Sequence, residues 1–151
     1  MTMQTMKIKR LPRDGATPPL PAYQTEGAAA MDLCAFLPEP VAIPPGGRML
    51  VPTGIAIELP AGCAGLVMAR SGLATRVGLA LANGVGLIDP DYRGEVLVSM
   101  LNYGTDDCII KNGDRVAQLL LVPFVRAELC EGELSDTGRG QGGIGSTGVR
   151  G

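Results

Sequence analysis

The sequence predicts an all-β domain, a sandwich or barrel of short strands, and three observations carry the prediction. Short apolar runs recur along the chain between clusters of Pro, Gly and Asn, which is the spacing of strands and turns. Hydrophobic residues make up 46% of 151, enough for a real core in one domain with little room for a second. Only one segment reads as a helix, and it is short.

The elements follow in order. Lys7–Leu11 is a first strand, followed by a connection through Pro18, Pro19 and Pro21. Strand-like runs then lie at Met31–Leu37, Val41–Ile43, Arg48–Val51, Ile55–Leu59, Gly65–Ala69, Leu79–Ala82, Glu95–Leu101, Cys108–Lys111 and Arg115–Val125. Pro44-Pro45-Gly46-Gly47, Pro60-Ala61-Gly62, Asn102-Tyr103-Gly104 and Asn112-Gly113 punctuate them. Ser71 is a good N-cap for a helix of about a turn and a half over Gly72–Val77, with Gly78 as its C′ residue. The chain is expected to be one domain over residues 1–151. Its arm, Ser135–Gly151, carries seven glycines in 17 residues, buries little, and should be flexible unless something orders it.

The absences exclude whole classes of chemistry. There is no His, so a Ser-His-Asp triad, a Cys-His pair, a His-ligated zinc and a His general base are all ruled out. Acid–base work falls to carboxylates, Lys, Tyr or Cys. A net charge of −2, no Trp and 3% aromatics argue against gripping or stacking nucleic acid directly. Cys34, Cys63, Cys108 and Cys130 form no C-x-x-C and read as small buried hydrophobes in a reducing compartment. No apolar stretch approaches a membrane span, and Met1–Arg10 lacks the apolar run of a signal peptide. A cytoplasmic protein with no membrane partner is expected.

Three features remain as candidate chemistry. Asn83-Gly-Val-Gly-Leu-Ile-Asp89-Pro-Asp91-Tyr92-Arg-Gly94 reads as the broad turn of a hairpin carrying two acids and a tyrosine. Asp-Pro-Asp is ordinary turn chemistry. Asp89, however, directly follows Leu87-Ile88, where a carboxylate can be partly buried and made more basic. In a chain without His it is the leading general-base candidate. In Ala69-Arg70-Ser71-Gly72-Leu73, a helix starting at Ser71 would be either a plain cap or an anion site completed by Arg70. Arg139-Gly-Gln-Gly-Gly-Ile-Gly-Ser-Thr-Gly148 is either a loose Gly-rich terminus or a nest of amides for one anion; it lacks the Lys of a P-loop. Two anion sites and one carboxylate suggest a nucleotide or a phosphate ester, and spacing alone stops there.

Taken together, five segments resemble the trimeric deoxyuridine triphosphate nucleotidohydrolases, the dUTPase family. They are Ala29-Ala-Met-Asp32-Leu, Arg70-Ser-Gly-Leu-Ala, Asn83-Gly-Val-Gly-Leu-Ile-Asp89-Pro-Asp-Tyr92-Arg-Gly, Gly113-Asp-Arg115-Val-Ala-Gln118-Leu and Arg139-Gly-Gln-Gly-Gly-Ile-Gly-Ser-Thr-Gly. They span about four-fifths of the chain in the family's order. The resemblance implies a jelly-roll-like β-fold in a homotrimer whose active sites are shared between chains, the Gly-rich arm closing over a neighbour's site. It implies hydrolysis of dUTP to dUMP and pyrophosphate with Mg²⁺. That activity would limit uracil incorporation into DNA and supply dUMP for thymidylate synthesis.

By the same resemblance Asp89 is the base that activates a water for in-line attack on the α-phosphorus. Tyr92 lies under the deoxyribose and blocks a 2′-hydroxyl. The backbone at Asn83, Leu87, Ile88 and Leu97 reads uracil, a slot that leaves cytosine's amino group unpaired and excludes thymine's methyl. Arg70, Ser71, Gly72 and Gln118 hold the α- and β-phosphates. Arg139, Gly142, Gly143, Ser146 and Thr147 hold the γ-phosphate, Ile144 covers the base, and Asp32 reaches the metal through water.

Two positions depart from the family's pattern. Ala69 stands where the second motif usually has Pro, and Ile144 stands where the fifth often has Phe. A deoxycytidine triphosphate deaminase, of related fold, would need a carboxylate placed to attack cytosine, whereas Asp89 and Tyr92 follow the hydrolase pattern. A catalytically idle dUTP-binding module would have lost Asp89 or Arg139, and both are present.

Overall fold

A computed structural model describes residues 4–143. Among the described residues the elements are β1 (Lys7–Arg10), β2 (Met31–Cys34), β3 (Val41–Ile43), β4 (Arg48–Glu58), β5 (Cys63–Ala69), α1 (Ser71–Arg76), β6 (Leu79–Leu81), β7 (Val85–Ile88), β8 (Glu95–Asn102), β9 (Cys108–Ile110) and β10 (Arg115–Pro123). One four-stranded sheet has the order β1-β4-β8-β6, a second the order β2-β10-β5-β7, and β3 and β9 form a ribbon. The strand pairs are antiparallel. The sheets stay open at their edges, so the jelly-roll-like arrangement is a sandwich and not a closed barrel.

Alternation explains why the sheets face each other. Along β8, Val96, Val98 and Met100 point inward and are fully buried, while Leu97 is exposed. They pack with Val51, Ile55 and Ile57 of β4 and with Leu33, Val67, Val116 and Leu119 of the opposite sheet in one apolar core. Asn102 closes β8 and is 0% exposed. Its Nδ2 donates to the carbonyls of Ile43 and Asp106, both at 2.8 Å, and its Oδ1 accepts Gly104 N–H at 2.8 Å. A buried amide satisfied this way ties the ribbon to the end of the sheet.

Two expectations about the strands need correction. The runs Arg48–Val51 and Ile55–Leu59 are one strand, β4, with an irregularity in register between Pro52 and Ala56. Thr53 Oγ1 donates to the Val96 carbonyl at 2.6 Å and the Gly54 N–H donates to Glu95 Oε1 at 2.7 Å, so the partner strand holds the bulge and the chain does not break there. The broad turn from Asn83 to Gly94 is likewise not a simple turn. β6 pairs with β8 as expected, but the intervening chain crosses to the other sheet and forms β7 against β5.

Candidate functional site

That crossing builds a cleft. Β7 brings Gly86, Leu87 and Ile88 opposite Leu97 and Ser99 of β8, and Asn83, Asp89, Tyr92 and Glu95 close its ends, around a space of about 220 Å³. Asn83, Leu87, Ile88, Asp89, Tyr92 and Leu97, six residues singled out in the sequence, therefore share one cleft. Β7 is the outermost strand of its sheet, and among the described residues no strand pairs with its second edge. Main-chain N–H and C=O groups beside the cleft are thus left without strand partners, a ready set of fixed donors and acceptors. Tyr92 is anchored at its tip, its hydroxyl donating to the Glu95 carbonyl at 2.9 Å. Asp89 differs from expectation. It lies past the end of β7 on the rim and is exposed, not partly buried.

A second cleft of about 280 Å³ lies at the other side of the same sheet and shares no residue with the first. It gathers Asp32, Arg70, Ser71, Gly72 and Gln118, again as one set, with Arg115 and Gln24. Gln118 on β10 is the register partner of Asp32 on β2, which sets the two side by side. Gln118 Nε2 donates to the Ala69 carbonyl at 2.9 Å and so fixes the end of β5. Asp32 is a buried acid held between two guanidinium groups, Arg70 Nε at 3.2 Å and Arg115 Nη1 at 3.1 Å. Arg70 also donates to the Arg115 carbonyl at 2.9 Å. With two cations and one anion, this cleft suits a phosphate group.

The helix begins one residue earlier than expected. Arg70 is the N-cap, in extended conformation and without a side-chain cap bond, and Ser71 is the first helical residue. The anion preference of this cleft rests on the arginines, since a six-residue helix has little dipole. Gly78 takes the left-handed φ of +79° past the helix end, as expected.

In the arm Arg139 sits in an exposed turn and its Nε donates to the carbonyl of the half-buried Gly142 at 2.8 Å, with the exposed Gly143 following. They line neither cleft. Ile144, Ser146 and Thr147 lie outside the described residues. All four cysteines are free thiols: Cys63 and Cys108 are buried, Cys34 is half-buried, and Cys130 is exposed, contrary to expectation. Burial pushes the Cys34 thiol up, and the neighbouring Asp32 carboxylate pushes the same way, against Arg115 and Arg70.

Comparison with known proteins decides the family. The dUTPase family model matches residues 17–148. The chain belongs to the dUTPase family. It is 51% identical over 150 residues to the deoxyuridine 5'-triphosphate nucleotidohydrolase of Desulfitobacterium hafniense (strain DSM 10664 / DCB-2), covering 97% of this chain and 99% of that one. It is 51% identical over 145 residues to the enzyme of the same name from Anaeromyxobacter sp. (strain Fw109-5), covering 95% and 97%. Among solved structures, a mutant Staphylococcus bacteriophage 80alpha dUTPase with dUpNHpp superposes with a TM-score of 0.83 at 24% identity, covering 97% of this chain and 100% of that one. A mutant dUTPase from phage phi11 of S. aureus, described with a structural Mg(II) ion, gives 0.77 at 22%, covering 87% and 98%. At these identities the structural likeness establishes the dUTPase fold alone.

Within this dUTPase fold, two site residues escaped the sequence reading. Arg115 was visible in the fourth motif but carried no role; its pairing with Asp32 spans 83 residues and leaves no local signal. Glu95 opened an apolar run and looked like an ordinary strand end. The donor set also bears on the implied Mg²⁺. Among the described residues no three His, Cys, Asp or Glu side chains group to hold a metal. Asp32 is the one carboxylate of the second cleft, and arginines engage both its oxygens. Carboxylate oxygens accept more than one hydrogen bond. The set fits an ion arriving on substrate phosphates and reaching Asp32 through a water, and it does not fit a resident ion in a protein cage.

Proposed function

We propose that the chain hydrolyses dUTP to dUMP and pyrophosphate. The observation that carries this is the sorting of the predicted residues into two clefts, one offering fixed backbone groups, a tyrosine and a free carboxylate, the other offering two arginines. Each cleft falls short of the roughly 300–1,000 Å³ usual for a ligand site. The first suits a base and its sugar, and the second suits phosphates. The clefts share no residue, so a single nucleotide spanning both types of group is best served when the first cleft of one chain meets the second cleft of another. Val125, Leu129 and Leu134 are 93–94% exposed on this chain, which agrees with burial against neighbouring copies. A homotrimer with shared sites is the assembly we infer.

In that site Leu87, Ile88 and Leu97, with Asn83, read uracil through the main chain, and Tyr92 stands where a 2′-hydroxyl would project. Asp89, on the rim, accepts a proton from water. The water oxygen bonds to the α-phosphorus, the bond from that phosphorus to the bridging oxygen breaks, and pyrophosphate leaves with the electron pair. Arg70, Ser71, Gly72 and Gln118 hold the α- and β-phosphates, with Arg115 and Asp32 fixing Arg70. The arm, with Arg139, Gly142, Gly143, Ile144, Ser146 and Thr147, covers the base and the γ-phosphate. Asp32 would reach a Mg²⁺ ion through water, and the ion would supply charge neutralisation when bound.

Pyrophosphate release from dUTP, dCTP, dTTP and UTP, measured side by side, tests the reading. Release from dUTP far above the other three is expected. Comparable release from all four, or none from dUTP, contradicts it.

A further inference from the structure

We propose that Glu95 is a positioning residue for Tyr92 and thereby sets sugar discrimination in the first cleft; the inference rests on the reading of that cleft as a deoxyuridine site. Glu95 opens β8, and its side chain is only 17% exposed. Both carboxylate oxygens are used. Oε1 accepts the Gly54 N–H at 2.7 Å, and Oε2 pairs with the Arg13 guanidinium.

Each partner is itself held. Arg13 is presented by the tight turn Arg13-Asp14-Gly15-Ala16, closed by reciprocal Arg13–Ala16 main-chain bonds of 3.0 and 2.8 Å. Asp14 and Gly15 have φ of +48° and +78°, the two positive values of a type I′ turn. The guanidinium also lies 5.8 Å from the centre of the Phe36 ring. Gly54 sits in the β4 bulge at φ +69°, and a side chain there would overlap Phe36 and Pro18. A turn, a bulge and an aromatic thus converge on one carboxylate.

The main chain of the same residue holds Tyr92. The Glu95 carbonyl accepts the Tyr92 hydroxyl, and that is the phenol's one hydrogen bond among the described residues. The ring lies so close over Gly94 that a Cβ at that position would overlap it. Tyr92 is otherwise 45% exposed, so burial does little to fix it. A ring can exclude a 2′-hydroxyl only if it resists displacement. Here that resistance comes through the Glu95 carbonyl, and the carboxylate clamp holds the residue that carries it.

Two readouts separate this role from a general contribution to folding. The first is the ratio of kcat/KM for dUTP to that for UTP. The second needs no substrate: the chain has three Tyr and no Trp, so Tyr92 is the sole fluorophore in a Tyr23→Phe/Tyr103→Phe background. Glu95→Ala should lower the dUTP/UTP ratio by about five- to tenfold, the value of one neutral hydrogen bond, and should raise acrylamide quenching of Tyr92. Glu95→Gln retains an acceptor for Gly54 and should recover part of both. Arg13→Gln, which leaves the Gly54 bond in place, serves if Glu95→Ala does not fold and should shift both readouts in the same direction. Combined with Tyr92→Phe, Glu95→Ala should reduce the ratio no further. A lowered melting temperature with ratio and quenching unchanged would overturn the proposal. A parent protein that does not prefer dUTP overturns the deoxyuridine reading and the sugar-selection role with it, and quenching then decides whether Glu95 positions Tyr92 at all.

Discussion

Arg70 Nε stands 3.2 Å from Asp32 Oδ1, while Arg115 Nη1 stands 3.1 Å from Asp32 Oδ2. One buried acid therefore acts as counter-ion to both cations of the second cleft when no phosphate is present. Asp32→Ala removes it and leaves two guanidinium groups facing each other. Because both arginines are partly exposed, a loss of about 1–3 kcal/mol is expected, below the cost of breaking a fully buried pair. Added pyrophosphate should replace the missing carboxylate and raise the variant's melting temperature more than the parent's. Equal shifts in the two proteins, by scanning fluorimetry, would remove this cleft from phosphate binding.

Tyr92→Ala empties the space that the proposed function assigns to the underside of the sugar. Activity on UTP relative to dUTP should rise by roughly tenfold or more, since the ribose hydroxyl then meets no ring. Steady-state kinetics on both nucleotides measure this. Discrimination equal to that of the parent would place sugar selection elsewhere.

Asn102 offers a stability test, since it lines neither cleft. Replacing it by Ala removes the buried bond to the Ile43 carbonyl and the part-buried bonds to the Asp106 carbonyl and the Gly104 N–H, for about 1–3 kcal/mol. Asn102→Asp should be at least as damaging, because a carboxylate cannot donate to the Ile43 and Asp106 carbonyls. Urea unfolding at fixed protein concentration checks both, and a loss under about 1 kcal/mol for either would contradict the network's role.

The sheet edge carries a pH-dependent element. Lys7 Nζ donates to Glu58 at 2.8 Å and holds that carboxyl below its ordinary 4.5, with Arg93 adding to the effect. The unfolded chain therefore takes up this proton more readily than the folded one. The contribution is present above the unfolded value of about 4.5 and is lost as pH falls through the lower folded value. Lys7→Met should melt slightly below the parent near neutrality, and the gap should close well below pH 4.5 and in high salt. A gap unchanged by acid would show that the pair contributes nothing.

Much of this architecture was legible because it is local. Val41–Ile43 reads as a strand with its observed bounds, and the apolar run Glu95–Leu101 reads as a strand that ends one residue short of β8. What was not legible depends on distant partners. Gly84 and Gly86 made β7 look like part of a turn, since its pairing with β5 lies in another sheet. Pro52 and Gly54 looked like a break because the bonds that hold the bulge come from Val96 and Glu95. Ser71 is the better N-cap by type, yet Arg70 takes the position, its side chain drawn to Asp32 and the Arg115 carbonyl. Much of each cleft was legible through the first four motifs. Their separation on one chain was not, because spacing along a sequence does not show which side of a sheet a residue reaches.

The central claim is that one active site takes its base-reading cleft and its arm from different chains. Mixing two defective proteins tests it most directly. Asp89→Asn keeps the cleft's shape but cannot take a proton, a loss of about 10²–10⁴-fold. A chain lacking residues 135–151 keeps Asp89 but has no arm. Neither should turn over dUTP well alone. Randomly mixed in equal amounts, about a quarter of the sites in a trimer should combine an intact Asp89 with an arm from a neighbour, restoring about a quarter of parental activity. Mixed trimers no more active than either defective protein, with exchange of chains confirmed by mass, would contradict the shared site.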